Sequence, residues 1–429
     1  MTINIGSILF AIRYLLLLSI PFLFVISPYL VLGVVFILCL IYKRWFSIHH
    51  EPAFVFLFMF LMLFWGITIA GVRLYDLAIV FGFIGILFSG NRLKIKMDIP
   101  LFFASVLLIF FINYHDYSAI TVVRYFLSLV LLFTVMNTRQ LFPKNKKIFN
   151  DIIVAAIYFA FCIYAFQATG IFSNTESGLV QTNIYMDPIE VRMNGFFSDP
   201  NKYMAYMFIF LYFIEIFWED SERKLPLILC SVGTVLSFSR TAVLVLLLFF
   251  LGKLLITKPK YKTLMSVFIV TSFIFSILML IAIPDTIMEW ANDFFIFTGS
   301  LFGREQTLKQ MQSLGEDNRI LIWRFALSYI QEAPLLGHGW LSERHLLPYP
   351  THNTMLQLLL DGGIVALCSF IALFRRMFFN SKWLIGFPLL IVPILVLDMS
   401  DFRMEYLVLG AVWWLDAQQH NFFKGKLYD

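Results

Sequence analysis

The chain has 429 residues, of which 60% are hydrophobic and 14% are charged, and its formal net charge is +5. Soluble domains carry roughly 25% charged residues, whereas apolar runs long enough to cross a membrane as helices recur here from end to end. This composition excludes a soluble globular protein and predicts an all-α polytopic membrane protein, for which no nucleic-acid partner is expected.

The apolar runs predict about fourteen transmembrane helices, two pairs of which form hairpins broken at Ser27-Pro28 and near Ser239-Arg240. We expect an N-terminal bundle of about eleven helices over 1–283, with an outer loop at 169–200. A large outer loop containing short helices follows at 284–351, and about three transmembrane helices follow at 352–429. The predicted spans lie near residues 8–26, 28–42, 53–70, 74–90, 99–113, 118–136, 149–168, 201–218, 225–238, 240–257, 263–283, 352–373, 383–397 and 402–417.

Loop charges predict the orientation of these spans. One set of alternate connections holds fourteen Lys and six Arg, so the positive-inside rule places those connections and both termini in the cytoplasm. The connections on the opposite side hold nine Arg and two Lys. Topology does not explain this preference for Arg, whose planar guanidinium grips phosphate or carboxylate at two points. We therefore expect a phosphate-bearing ligand on the outer face; pairing with outer acidic side chains is the alternative.

The most informative segment begins at Pro334-Leu-Leu-Gly-His-Gly-Trp340 and ends at His352, just before an apolar run. Thr351 is expected to cap a helix that has His352 in its first turn. The positive end of the helix dipole disfavours protonation of this imidazole, and a neutral imidazole can take a proton from a sugar hydroxyl. The sequence therefore makes His352 a candidate general base, with a capping or interface histidine as the alternative.

Four arginines near predicted span ends are candidates for binding the phosphate-bearing ligand. Arg240 lies between two apolar runs with almost no loop, where an arginine must snorkel, pair or line a polar cavity. Arg192 opens a turn-rich segment that returns into the next span. Arg319 and Arg324 flank Trp323 in a stretch with the apolar periodicity of a helix on the membrane surface. Snorkelling and packing are the alternatives.

His338, His345 and His352 recur every seven residues, but the intervening glycines and prolines break any helix that would align them. No cysteine or carboxylate stands at ligand spacing, so no metal site is expected. The sequence also has no Walker loop and no dinucleotide fingerprint. An outward-facing enzyme would therefore use an activated donor that is already in the membrane.

Three motifs resemble those of the O-antigen ligase and polymerase superfamily of bacterial membrane glycosyltransferases. The motifs are Gly195-Phe-x-x-Asp-Pro-Asn201 with Arg192 before it, Phe238-Ser-Arg-Thr241, and the run from Asn318-Arg-x-x-x-Trp323 through Pro334-Leu-Leu-Gly-x-Gly339 to His352-Asn-Thr-x-Leu-Gln-x-x-x-Asp-Gly-Gly363. Their order and the large outer loop before the histidine agree with that family over most of the chain. Ala366 departs from the pattern, which often has Gly, Thr or Tyr at that position.

The resemblance implies glycan transfer from undecaprenyl pyrophosphate to a sugar hydroxyl, at the periplasmic face of the bacterial inner membrane and without a metal or other cofactor. It implies that His352 is the catalytic base. The resemblance maps pyrophosphate binding onto Arg192, Arg240 and Arg319, and Arg324, on the other side of Trp323, is expected to bind the pyrophosphate with them. Supporting roles are expected for Asn353, Asn201, His338 and Arg403.

We expect a polymerase that moves the growing chain onto a new lipid-linked repeat unit with inversion at the anomeric carbon. A chain-length regulator protein is a further expected partner. A ligase that moves the finished chain onto lipid A–core is the first alternative. A transporter or flippase for the lipid-linked oligosaccharide is the alternative of another class, although the sequence shows no repeated halves of the kind common in transporters.

Overall fold

The structure is a computed structural model, and it is mostly helical, as the composition predicts. It describes residues 5–46, 54–88, 119–138, 147–171, 180–182, 193–237, 239–256, 319–374 and 406–413, with single residues or short pieces at 100–107, 184 and 386–394. The predicted spans near 99–113, 263–283, 383–397 and 402–417 lie wholly or partly outside these residues.

Helices and strands are numbered here in chain order. The helices are α1 (Ile5–Ile26), α2 (Pro28–Phe46), α3 (Phe54–Met62), α4 (Leu74–Phe88), α5 (Ala119–Asn137), α6 (Lys147–Ala168), α7 (Pro200–Phe217), α8 (Asp220–Val235), α9 (Arg240–Ile256), α10 (Arg319–Glu332), α11 (Glu343–Leu346) and α12 (Thr354–Phe374). The strands β1 (Ile67–Ile69), β2 (Val72–Arg73) and β3 (Val180–Thr182) form an antiparallel sheet in the order β2-β1-β3.

The helix boundaries confirm both predicted hairpin breaks, because α1 and α2 are separated at Ser27 and α8 and α9 are separated before Arg240. The predicted span 53–70 is wrong in its second half. There α3 ends at Met62, and the chain passes through turns into β1. After Met62 the N–H groups of residues 63–65 donate to carbonyl oxygens three residues back, and the Gly66 N–H donates to the carbonyl oxygen of Phe196 at 2.6 Å.

Two of the described helices are long and apolar enough to cross a membrane, judged by length and composition: Phe149–Ala168 within α6, and α12. Shorter apolar helical stretches lie at Ala11–Ile26, Pro28–Ile41, Leu74–Phe88, Phe126–Asn137 and Thr241–Lys253. The count of fourteen spans stays a prediction, as does the division of the chain into a bundle, a large loop and C-terminal helices.

Three pairings agree with the predicted sides of the membrane. The strand β1, which precedes α4, pairs with β3 of the loop 169–200. Arg13, in the first half of α1, and Asp151, near the start of α6, form an ion pair of 2.9 Å. Lys253 and Glu215, near the C-terminal ends of α9 and α7, pair at 2.7 Å. In each case the predicted alternation of spans puts the two partners at the same membrane face.

The chain divides into two compact units. Unit 1 comprises Met1–Lys94, Val130–Phe210 and Glu219–Phe238, and unit 2 comprises Ile95–Leu129, Leu211–Trp218 and Ser239–Asp429. In unit 1, the buried ring of Phe196 lies among other aromatic rings. Its centroid is 4.8 Å from that of Phe24, 5.6 Å from that of Phe64 and 5.4 Å from that of Phe159.

In unit 2, α10 packs against the N-terminal half of α12, with the short helix α11 beside them. The buried apolar side chains of this contact are Ile322, Ala326, Ile330, Leu347, Leu356 and Leu360. Ile322, Ala326 and Ile330 recur along α10, and Leu356 and Leu360 along α12, at the four-residue spacing of one helix face. This packing fixes the end of α12 at which His352 lies.

Candidate active site

The helix α12 is interrupted at Gly363, and the segment 334–339 fills the interruption. Gly363 has φ 61 and ψ −160, a conformation essentially restricted to glycine. Hydrogen bonds join the segment to backbone groups on both sides of the break: His338 N to Leu360 O at 2.8 Å, Gly339 N to Asp361 O at 2.8 Å, Ile364 N to Pro334 O at 2.9 Å and Val365 N to Leu335 O at 3.4 Å. The segment thus pairs with groups that an interrupted helix would otherwise leave without partners.

Glycine is required on both sides of this junction. A Cβ at Gly363 would lie 2.3 Å from the carbonyl carbon of Leu335, and a Cβ at Gly337 would lie 2.4 Å from that of Asp361. Both glycines have positive φ. The Pro334-Leu-Leu-Gly motif and the Asp361-Gly-Gly motif are therefore two halves of one backbone junction, which joins the outer loop to α12.

His352 lies just outside α12, and its side chain is partly exposed. Its φ of 48 is in the left-handed region, which is uncommon for any residue other than glycine. The expected cap is wrong by two residues, because Asn353 rather than Thr351 caps the helix. The Oδ1 atom of Asn353 accepts hydrogen bonds from the N–H groups of Met355 at 3.0 Å and Leu356 at 3.1 Å. His352 therefore precedes the first helical turn instead of lying in it.

The residue before His352 is held from several directions. The indole Nε1 of Trp323 donates to the carbonyl oxygen of Thr351 at 2.7 Å. The Thr351 N–H donates to Oε2 of Glu343 at 3.3 Å. Thr351 is fully buried. Its hydroxyl, the Oγ1 atom, lies 3.2 Å from the carbonyl oxygen of Asn353 and 3.4 Å from Oε1 of Gln357, and it accepts from the N–H of Asn353 at 3.4 Å rather than from an N–H group of α12.

Asp361, within α12, contacts Gln357 and Ser342. The Oδ1 atom of Asp361 accepts from the N–H of Ser342 at 3.0 Å and from its hydroxyl at 2.8 Å. The Oδ2 atom accepts from Nε2 of Gln357 at 2.9 Å. These three side chains are buried, and a buried carboxylate is tolerated when donors satisfy its oxygens.

The arginines beside Trp323 lie on a helix, as the periodicity predicts. Arg319 begins α10, and Arg324 lies one turn further along with an exposed side chain. The Arg319 side chain lies outside the described part of the structure. The indole of Trp323 contacts Thr351, the residue before His352. The helix that carries Arg319 and Arg324 therefore lies against the segment that carries the histidine, within unit 2.

The remaining predicted ligands are less fully described. Arg240 begins α9 in unit 2, but its side chain is outside the described set, and Arg192 and Arg403 lie outside it altogether. Asn201 lies in the first turn of α7 in unit 1, and its N–H donates to Oδ1 of Asp199 at 2.7 Å. Asp199 thereby starts that helix, so the Asp199-Pro-Asn motif has a capping role here.

His338 has a backbone contact of its own. Its Nε2 atom lies 2.6 Å from the carbonyl oxygen of Tyr329 on α10. This contact links the segment 334–339 to α10, so His338 belongs to the support of the junction. Within the residues that the structure describes, no group of three or more His, Cys, Asp or Glu side chains is arranged to hold a metal ion.

Sequence reasoning missed two features. The first is the buried ion pair of Arg13 with Asp151, whose Oδ1 also accepts from the hydroxyl of Tyr14 at 2.6 Å. A single charge in each of two apolar runs was the signal that could have found it. The second is the contact of Gln357 with Asp361 and of Asp361 with Ser342; the third motif contains Gln357 and Asp361, but sequence reasoning assigned them no role.

Comparison with known proteins gives one family match. Residues 225–371 match the family model described as O-antigen ligase, which covers about a third of the chain. The matched range contains α10, the segment 334–339, His352 and the break at Gly363. No curated protein and no solved structure matches the chain.

Proposed function

Because the chain belongs to the O-antigen ligase and polymerase superfamily, a family of membrane-embedded glycosyltransferases, we propose that it polymerises a surface polysaccharide. The donor is a growing glycan on undecaprenyl pyrophosphate. The acceptor is a hydroxyl of another lipid-linked repeat unit. The reaction takes place at the periplasmic face of the bacterial inner membrane, and a chain-length regulator is a partner there.

The observation that carries this proposal is the conformation of His352. An imidazole that is partly exposed, next to the start of α12, is held in a left-handed backbone conformation by buried contacts to Thr351 and Asn353. Unfavourable backbone conformations persist when the surroundings enforce them, and they cluster at functional sites. A general base acts from the neutral form of an imidazole, and the partly exposed side chain of His352 is accessible to an acceptor.

In the proposed step, the imidazole of His352 takes the proton of the acceptor hydroxyl as its oxygen attacks the anomeric carbon of the donor. A new C–O bond forms there, and the bond from that carbon to the pyrophosphate oxygen breaks on the opposite face. The electron pair leaves with the pyrophosphate, and the configuration inverts. Arg192, Arg240, Arg319 and Arg324 stabilise the charge on the leaving group, which makes a metal unnecessary.

The family description favours a second candidate, a ligase that transfers the finished chain to lipid A–core. Both reactions use the same donor and the same base and differ only in the acceptor. The phenylalanine-rich character of the chain, with 50 Phe, resembles repeat-unit polymerases and is our reason for preferring polymerisation.

The test incubates the purified protein in EDTA with radiolabelled lipid-linked repeat unit. One reaction contains this substrate alone, and a second also contains lipid A–core. A third reaction, with lipid A–core but no repeat unit, is the blank. We expect a ladder of longer lipid-linked glycans from the repeat unit alone. Label that moves only onto lipid A–core would show a ligase and overturn the polymerase assignment. A failure to form either product, together with movement of the intact lipid-linked unit across proteoliposomes, would show a transporter.

A further inference from the structure

A connected set of buried polar side chains lies beside His352, and the proposed chemical step does not use it. Thr351, Gln357 and Asp361 are 0%, 2% and 5% exposed. Two of them lie within α12, which has the length and apolarity of a membrane span. Polar groups in such a helix are costly and are usually functional. Packing alone would be served better by apolar side chains at these positions.

The donors and acceptors in this set have a fixed order. The amide nitrogen of Gln357 lies 2.9 Å from Oδ2 of Asp361, and carboxyl oxygens accept hydrogen bonds. The amide oxygen of Gln357 then faces the hydroxyl of Thr351 at 3.4 Å, and the other acceptor beside that hydroxyl is the carbonyl oxygen of Asn353 at 3.2 Å. Asp361 itself is held by two hydrogen bonds from Ser342. The orientation of the Gln357 amide therefore matches the acceptor at Asp361.

The order extends to the backbone on both sides of His352. The hydroxyl of Thr351 accepts from the N–H of Asn353 at 3.4 Å, and this N–H belongs to the peptide group that follows His352. The peptide group that precedes His352 has its carbonyl oxygen bound by Trp323. The peptide group that follows the histidine is thus held through the Thr351 hydroxyl, and the one that precedes it is held by Trp323.

We propose that Gln357 and Asp361 are positioning residues that act on His352 through Thr351. They keep the peptide group after His352 in place, through the Thr351 hydroxyl, and so direct the imidazole toward the acceptor hydroxyl. This inference rests on the proposed function, because it assumes that His352 is the base. Neither Gln357 nor Asp361 is proposed to touch the substrate.

The fixed order of donors and acceptors gives a specific test. The change Gln357→Glu sets two carboxylates against each other at a distance now spanned by a hydrogen bond. Adding Asp361→Asn exchanges the amide and the carboxylate between the two positions. The hydrogen bond is restored, because the new amide nitrogen at 361 donates to the new carboxylate at 357. The second oxygen of that carboxylate still accepts from Thr351, and the new amide oxygen still accepts from Ser342.

The experiment measures kcat and KM for chain extension of the purified lipid-linked repeat unit. We expect Gln357→Glu to lower kcat by about tenfold or more, since small misplacements of a catalytic group are costly, with KM unchanged. The double variant should recover most of the lost kcat. Gln357→Met, which lacks both hydrogen bonds but adds no charge, should lower kcat as well, and it decides the question if Gln357→Glu does not fold.

The matched control is Ser369→Ala, on the same helix. The Ser369 hydroxyl lies 2.8 Å from that of Ser105 in a buried contact, so this change also removes a buried hydrogen bond, and it should leave kcat and KM unchanged. Normal kcat in both Gln357 variants, or no recovery in the double variant, overturns the positioning role. If His352→Ala is inactive at the same time, the base assignment stands. If His352→Ala is fully active, the base assignment and the positioning role both fail.

Discussion

The turn at 193–199 in unit 1 and the segment 334–339 in unit 2 each lie against a helix, but different interactions hold them. The first is packed by aromatic rings around Phe196 and has one backbone hydrogen bond to a distant segment, from Gly66 N–H to Phe196 O; a Cβ at Gly195 would be 3.5 Å from the nearest atom of α6. The second shares backbone hydrogen bonds with the broken helix α12, and a Cβ at Gly337 would be 2.4 Å from the backbone.

This difference bears on which region can place a side chain accurately. Ring packing is non-directional and tolerates exchange of apolar groups of similar volume. Hydrogen bonds have narrow ranges of distance and angle, and an unmade buried bond is costly. The histidine proposed as the base lies in the hydrogen-bonded region, where its backbone position is closely specified.

The largest effect is expected at the junction in α12. Gly363→Ala forces a Cβ within 2.3 Å of the backbone at Leu335, in a conformation that alanine does not adopt. The free energy of unfolding should therefore fall by more than about 4 kcal/mol. Gly195→Ala is the matched control, since its φ is also positive but its surroundings leave room; it should cost about 1–2 kcal/mol. Thermal unfolding in detergent compares the two, and equal losses would contradict the difference between the regions.

A cavity in the aromatic region should have the next largest effect. Phe196 is fully buried, and Phe196→Ala should destabilise the protein by about 3–5 kcal/mol, whereas Phe196→Leu should cost less than about 1.5 kcal/mol because volume is largely kept. Chain extension by the folded fraction of Phe196→Leu should stay near that of the wild type. A large loss of activity in this folded variant would mean that the turn needs more than packing.

Trp323→Phe tests the hydrogen-bonded region without leaving a large cavity. It leaves the carbonyl oxygen of Thr351 without its donor, which should cost about 1–3 kcal/mol and lower kcat. Trp413→Phe removes a similar bond, from Nε1 to the carbonyl oxygen of Leu373 at 3.0 Å, elsewhere in unit 2. Both variants should lose stability, but only the first should lose kcat; an equal kcat in the two variants would argue against a role for Trp323 beside His352.

The smallest effect is expected for the helix cap. Asn353→Ala removes the acceptor of two N–H groups at the start of α12 and should cost about 0.5–2 kcal/mol. Asn353→Asp keeps an acceptor there and should lose less. Unfolding curves of the two variants check the cap, and no difference between them and the wild type would show that another group satisfies these N–H groups.

Much of the helical framework was predictable because it depends on local sequence. Apolar runs predict where α6, α7 and α12 lie, and Pro28 marks where α2 begins. The course of the chain after Met62 was not predictable, because Gly66 there donates a hydrogen bond to Phe196, which is far away in sequence. The hydropathy of residues 53–70 predicts one continuous span.

The site was predictable in its residues but not in its geometry. The motifs point to His352 and to the glycines, but whether Thr351 or Asn353 caps α12 depends on Trp323, Glu343 and other distant partners. The break at Gly363 is hidden in the same way, because Asp361-Gly-Gly lies in an otherwise continuous apolar run. Its cause is the segment 334–339, more than twenty residues earlier.

The most direct test of the central proposal measures the initial rate of chain extension for His352→Ala and His345→Ala at saturating lipid-linked repeat unit. His345 is an exposed histidine of α11, so its replacement controls for the loss of an imidazole from the same loop. We predict that His352→Ala slows extension by about 100-fold or more, the contribution of a general base, and that His345→Ala extends at the wild-type rate. A folded His352→Ala protein that extends as fast as the wild type would contradict the account.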